Sequence, residues 1–106
     1  MPKFMLQVSY TTEGAKGLLK DGGTKRRAAA KTLVEGLGGT MDCFYFAFGK
    51  DDAVVVADFP DSVSAAAASM TIAASGAVSG RVTVLLTPEE IDQAAKKSAK
   101  YTPPGK

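Results

Sequence analysis

Gly22-Gly23-Thr24-Lys25-Arg26-Arg27 is the segment best equipped for chemistry. A glycine pair leading into a helix start leaves backbone N–H groups free, and three adjacent cations add attraction for a phosphate or carboxylate. Cations are unfavourable at a helix N-terminus unless an anion or an acidic partner lies near. Either Thr24, Lys25, Arg26 and Arg27 hold an anionic ligand, or they form a capped helix restart with a solvated basic turn. The segment lacks the glycine spacing and the Lys-Ser/Thr pair of a P-loop, which argues against nucleoside triphosphate hydrolysis.

Polar groups set among apolar strand residues form a second candidate site: Gln7, Ser9, Tyr10, Asp42, Tyr45 and Asp58. By simple alternation Asp42 shares a face with Phe44, Phe46 and Phe48, and Asp58 shares one with Val54 and Val56. A carboxyl facing an apolar cleft has its pKa raised by desolvation and becomes a usable acid or base. Tyr45 in such a cleft would donate a hydrogen bond to a carbonyl or oxyanion. Ordinary solvation at strand ends explains the acids equally well, and amphipathic packing explains the tyrosine. No specific metal site is expected: Asp51 and Asp52 are adjacent and point apart, without the loop spacing of a calcium site. Glu89 and Glu90 suit a helix cap instead. The chain has no histidine, which removes imidazole as a ligand, a base or a pH switch. No cofactor is expected. The one cysteine, Cys43, lies in an apolar strand and reads as a buried, inert thiol in a reducing, cytoplasmic compartment.

These groups sit on a chain of 106 residues with 13 basic and 11 acidic side chains and a net charge of +2. That balance gives no electrostatic case for nucleic acid or a membrane surface. The length fits one domain over residues 1–100, followed by an extended Pro-rich tail over 101–106. Phe4 to Tyr10 reads as a strand and is too short for a signal segment. Ser62 to Gly80 is uncharged but too rich in Ser, Ala and Gly for a membrane span.

The positioning elements follow from periodicity. Lys3 to Tyr10 alternates as a strand. Thr11 or Thr12 with Glu13 opens a short helix through Lys20, which Asp21-Gly22-Gly23 interrupts. Thr24 is the expected N-cap of a second helix carrying Ala28, Ala29, Leu33, Val34 and Leu37, stopped by Gly38-Gly39. Thr40 to Phe48 and Ala53 to Phe59 form a hairpin about Gly49-Lys50-Asp51-Asp52. In the first of these strands Met41, Cys43, Tyr45 and Ala47 face one way. Asp61 caps an uncharged helix from Ser62 to about Ser75, whose packed stripe reads as Val63, Ala66, Ala67, Met70, Ala73 and Ala74. Gly76 to Gly80 is a turn and Arg81 to Leu86 the fourth strand. Thr87-Pro88-Glu89-Glu90 is a capping box launching a last helix to about Ala99.

The order is that of an α+β, ferredoxin-like βαββαβ fold with a broken first helix and an extra C-terminal helix. Antiparallel sheets usually solvate one face, yet both faces here read as largely apolar. A face left uncovered by the chain's own helices needs a second copy, so a homodimer through the open sheet face is expected. The uncharged Ser62–Ser75 helix offers a further surface for a higher homo-oligomer.

Ser9-Tyr10-Thr11, Gly22-Gly23-Thr24 with Arg26-Arg27, Phe44-Tyr45-Phe46-Ala47-Phe48-Gly49 with Asp51-Asp52, and Leu86-Thr87-Pro88-Glu89-Glu90 occur in the order in which the small bacterial GYD-domain proteins carry them. Nearly the whole chain resembles that family. The resemblance implies a ferredoxin-like monomer that pairs into a dimeric α/β barrel, and it assigns no reaction and no residue roles. Three functions remain open. One is a module binding a small apolar or anionic molecule between sheet and helices, with Arg26 or Arg27 at its anionic end. The second is a cofactor-independent enzyme of the isomerase, cyclase or monooxygenase type. The third is a structural or interaction oligomer.

Overall fold

The computed structural model describes residues 1–106. Eight elements follow in order: β1 (Lys3–Tyr10), α1 (Thr12–Asp21), α2 (Gly23–Gly36), β2 (Thr40–Phe46), β3 (Ala53–Asp58), α3 (Ser62–Ala74), β4 (Val78–Leu85) and α4 (Pro88–Ala95). The strands form one antiparallel sheet in the order β2-β3-β1-β4. With α2 over β2 and α3 over β4, this is a ferredoxin-like α+β arrangement.

Cross-strand register sorts the side chains by face. Phe4, Leu6 and Val8 of β1 pair with Ala57, Val55 and Ala53 of β3, and these residues turn toward the helices. Phe4, Leu6, Val55, Ala57 and Phe59 are buried there with Val34 of α2 and Ala65 and Ala68 of α3. Phe4 and Phe59 meet edge to face at 5.9 Å between ring centroids, a favoured geometry for aromatic pairs.

Several local expectations need correction. The α1–α2 break falls at Gly22, whose φ of +82° suits glycine, and Gly22 rather than Thr24 occupies the cap position of α2, with no side-chain cap. Thr24 lies inside the first turn. In β2 the pairing shifts between Met41 and Cys43, so Asp42 is an extra, bulged residue. The bulge puts Met41 on the same side as Phe44 and Phe46, while Asp42 joins Lys3 and Asp58 on the other side. The strand also stops at Phe46, leaving Phe48 fully exposed in the hairpin loop. Val78 to Gly80 belongs to β4 rather than to a turn. Finally, α4 ends at Ala95, not near Ala99, although its capping box forms as expected between Thr87 and Glu90.

The packed stripe of α3 is also different. Ala65 and Ala68 are buried and Ile72 packs beside them, whereas Val63 and Met70 point outward, 78% and 70% exposed. An apolar helix with no charged face gives periodicity little to choose between. The side with the smaller residues wins because it lets the helix axis approach the sheet.

The face away from the helices is mixed rather than largely apolar. Cys43, Tyr45, Val54, Val56 and Met5 cluster on its β2–β3–β1 half, and Gln7, Ser79, Arg81 and Thr83 occupy the β1–β4 half. Two polar clusters flank the apolar part. Lys3 bridges Asp42 and Asp58, and Asp51 accepts hydrogen bonds from Gln7 at 3.2 Å and Arg81 at 3.0 Å.

Candidate functional site

The structure leaves a gap between α2 and α3, directly above the two central strands. Its floor is Leu6 and Val8 of β1 and Val55 of β3. Ala29, Ala30, Leu33 and Val34 of α2 form one wall, and Ala68 and Ile72 of α3 form the other, with Phe44, Tyr10 and Val78 at the ends. The cause is in the sequence. Both helices present alanines where larger residues would meet across the sheet, so the walls cannot close. The cavity measures about 110 Å³ and opens partly to solvent.

Twelve of its thirteen lining residues are hydrophobic, and the thirteenth is Arg26. Arg26 is half-buried and stands in the first turn of α2, where no acidic residue is present. It takes part in none of the ion pairs of the molecule. Asp21, the nearest acidic residue in sequence, is engaged by Lys25 at 3.6 Å. Tyr10 and Arg26 also border a smaller neighbouring cleft that Glu13 and Asp21 line.

The other residues singled out by sequence lie elsewhere. Thr24, Lys25 and Arg27 are exposed and do not line the cavity. Tyr45 is 68% exposed on the open sheet face. Asp58 lies on that same face, within 3.1 Å of the Lys3 ammonium. Both are therefore separated from the cavity by the thickness of the sheet. Those two Asp partners, Asp42 first and then Asp58, hold the Lys3 pKa above its ordinary value through hydrogen bonds to the ammonium. No group of three or more Cys, Asp or Glu side chains is arranged to hold a metal ion. No helix is long and apolar enough to cross a membrane.

Sequence reasoning missed the alanines as site-forming residues. Their signal was present: Ala28-Ala29-Ala30 and Ala65 to Ala68 are runs of small side chains on the only two long helices. A pair of alanine-rich helices on one sheet face implies either close approach or an unfilled space, and only the three-dimensional placement decides which.

A four-stranded antiparallel sheet with helices on one face and an apolar cleft between them defines a small ferredoxin-like α+β protein. The chain belongs to the GYD domain family, whose model matches residues 4–95. No curated protein and no solved structure matches it.

Proposed function

We propose that the chain is a cytoplasmic homodimeric binding module that takes a small apolar or anionic molecule into the cleft between α2, α3 and the sheet. The observation that carries this reading is the cleft itself: an apolar space of about 110 Å³ with a single charged residue on its wall. Pockets built for small molecules combine an apolar lining with a few placed polar groups. Binding is preferred to catalysis because the polar atoms of the wall belong to Tyr10 and Arg26, while Tyr45 and Asp58 lie across the sheet. Of the basic cluster, Arg26 is assigned to the ligand. Thr24, Lys25 and Arg27 are assigned to the solvated turn.

The second copy is supported by surface area. The chain exposes 7335 Å², against about 5,600 Å² for a compact monomer of its mass. The excess of about 1,700 Å² is more than the roughly 800 Å² per partner that a specific interface buries. Part of that excess belongs to α4, none of whose residues is buried, and to the exposed residues after it, and the half-apolar sheet face is the surface offered to the second copy. Native mass spectrometry of freshly purified protein tests both parts together. The expected species is twice the 11.0 kDa chain mass with a small molecule retained. A single subunit without adduct, under conditions that preserve known dimers, would defeat the proposal.

A further inference from the structure

The charge and the size of the cleft together specify more than a generic ligand. Arg26 combines three properties: it is half-buried, it borders an otherwise apolar cavity, and it has no carboxylate within ion-pair distance. Its position in the first turn of α2 adds to the tension, since the helix dipole makes that end positive and disfavours a cation there. A negative group seated beside Arg26 would relieve both the unpaired charge and the dipole.

Resting on the binding reading above, we infer that the ligand is a compact monocarboxylate whose apolar body fills the cavity and whose carboxylate pairs with the Arg26 guanidinium. The planar guanidinium fork matches a carboxylate through two parallel N–H···O bonds. One cation on the wall balances one negative charge, so a phosphate dianion would keep an uncompensated charge against twelve hydrophobic residues. The volume sets the body. An engineered apolar cavity of about 150 Å³ holds benzene, so the 110 Å³ here suits about four to six carbons, branched or in a small ring. Glu13 and Asp21 line the neighbouring cleft that Arg26 also borders, so a second negative charge on the ligand would meet like charges there.

The test titrates the full chain with 3-methylbutanoate and with its neutral isostere 3-methylbutanamide, followed by methyl NMR. The expected result is that the acid shifts the methyls of Val8, Ala30, Leu33 and Ile72 and binds about tenfold more tightly than the amide. Added salt should weaken the acid and leave the amide unchanged. Arg26→Gln should remove the preference, and Arg26→Lys should keep part of it. Equal binding of acid and amide, or a preference that survives in Arg26→Gln, overturns the carboxylate assignment while the cavity reading stands. Shifts confined to residues outside the cavity also overturn it. Binding of neither probe overturns both readings. Should Arg26→Gln fail to fold, the acid–amide comparison and its salt dependence on the unaltered chain still decide the matter.

Discussion

Asp61 carries more of α3 than its exposed position suggests. Its carboxylate accepts a hydrogen bond from the Ser64 backbone N–H at 2.8 Å and caps the helix. That bond, with a further one from the Ser64 side chain, holds the Asp61 pKa below the usual carboxylate range. A lowered folded-state pKa means the cap's contribution is present above the unfolded pKa and is lost as pH falls through the folded one. Asp61→Ala should therefore lower the melting temperature at neutral pH by roughly 4–8 °C, the shift expected for one lost cap in a domain of this size. The difference from the unaltered chain should shrink in strong acid. Asp61→Asn, which caps without a charge, should melt near the parent temperature and show no such acid dependence. Thermal melts across an acid pH series check both outcomes. Lys3 has the opposite sign: the hydrogen bonds to Asp42 and then Asp58 raise its pKa, so its own titration leaves that contribution intact at neutral pH and removes it as pH rises through the raised value. Asp61 was legible as a cap because an acid follows a proline and precedes a helical run. Asp42 was not legible, because a bulge inserts a residue that strict alternation cannot anticipate.

Two elements show how far periodicity reaches. In α3 the residues that pack are Ala65, Ala68 and Ile72, and those that face outward include Val63 and Met70. Ala65→Leu, at a buried position that does not line the cavity, forces a larger side chain against the sheet and should destabilise the chain by about 1–3 kcal/mol. Met70→Ala should change subunit stability by no more than about 0.5 kcal/mol. Chemical denaturation measures the pair, and a reversed ranking would mean that the helix is turned the other way. The bulge in β2 supports a sharper expectation. Met41 pairs with Ala57 and Cys43 with Val56, so deleting Asp42 joins two residues already in consecutive register. Met41 and Phe44 should stay on the helix side, and the deletion should retain a single cooperative melt with protected Cys43 and Phe44 amides in hydrogen exchange. Loss of the cooperative melt would show that the bulge sets the register. The order of elements, the hairpin and the capping box of α4 were all written in local sequence signals. The cavity was not, because it depends on how far apart α2 and α3 come to rest. That distance is set by Leu6, Val55 and the alanines acting together across the sheet.

At the scale of the whole molecule the shape is the anomaly. The radius of gyration is 16.8 Å, against about 13 Å for a compact chain of this length. Much of the elongation comes from α4 and the residues after it, which contribute nothing to the buried core. Isolated helices of fewer than about 12–15 residues are marginal in water, so an eight-residue helix, with Ile91 on it and Leu86 before it more than half exposed, would gain stability from a seat outside its own chain. The apolar half of the sheet face has the same need, and Val56 lies at its centre, between Cys43 and Met5 across the strands. Val56→Lys directs a charge away from the subunit core, so the single subunit should keep its fold while the proposed dimer separates. Thr83→Lys, on the polar half of the same face, should leave association intact. Light scattering coupled to gel filtration reads the mass of each variant at several concentrations. If Val56→Lys still runs as a dimer, the contact surface is elsewhere. Truncation after Leu86 then tests α4: a monomer from that variant would place the second copy there, whereas a persistent dimer would turn the search to the outward face of α3, with Val63 and Met70, and to the exposed Phe46 and Phe48.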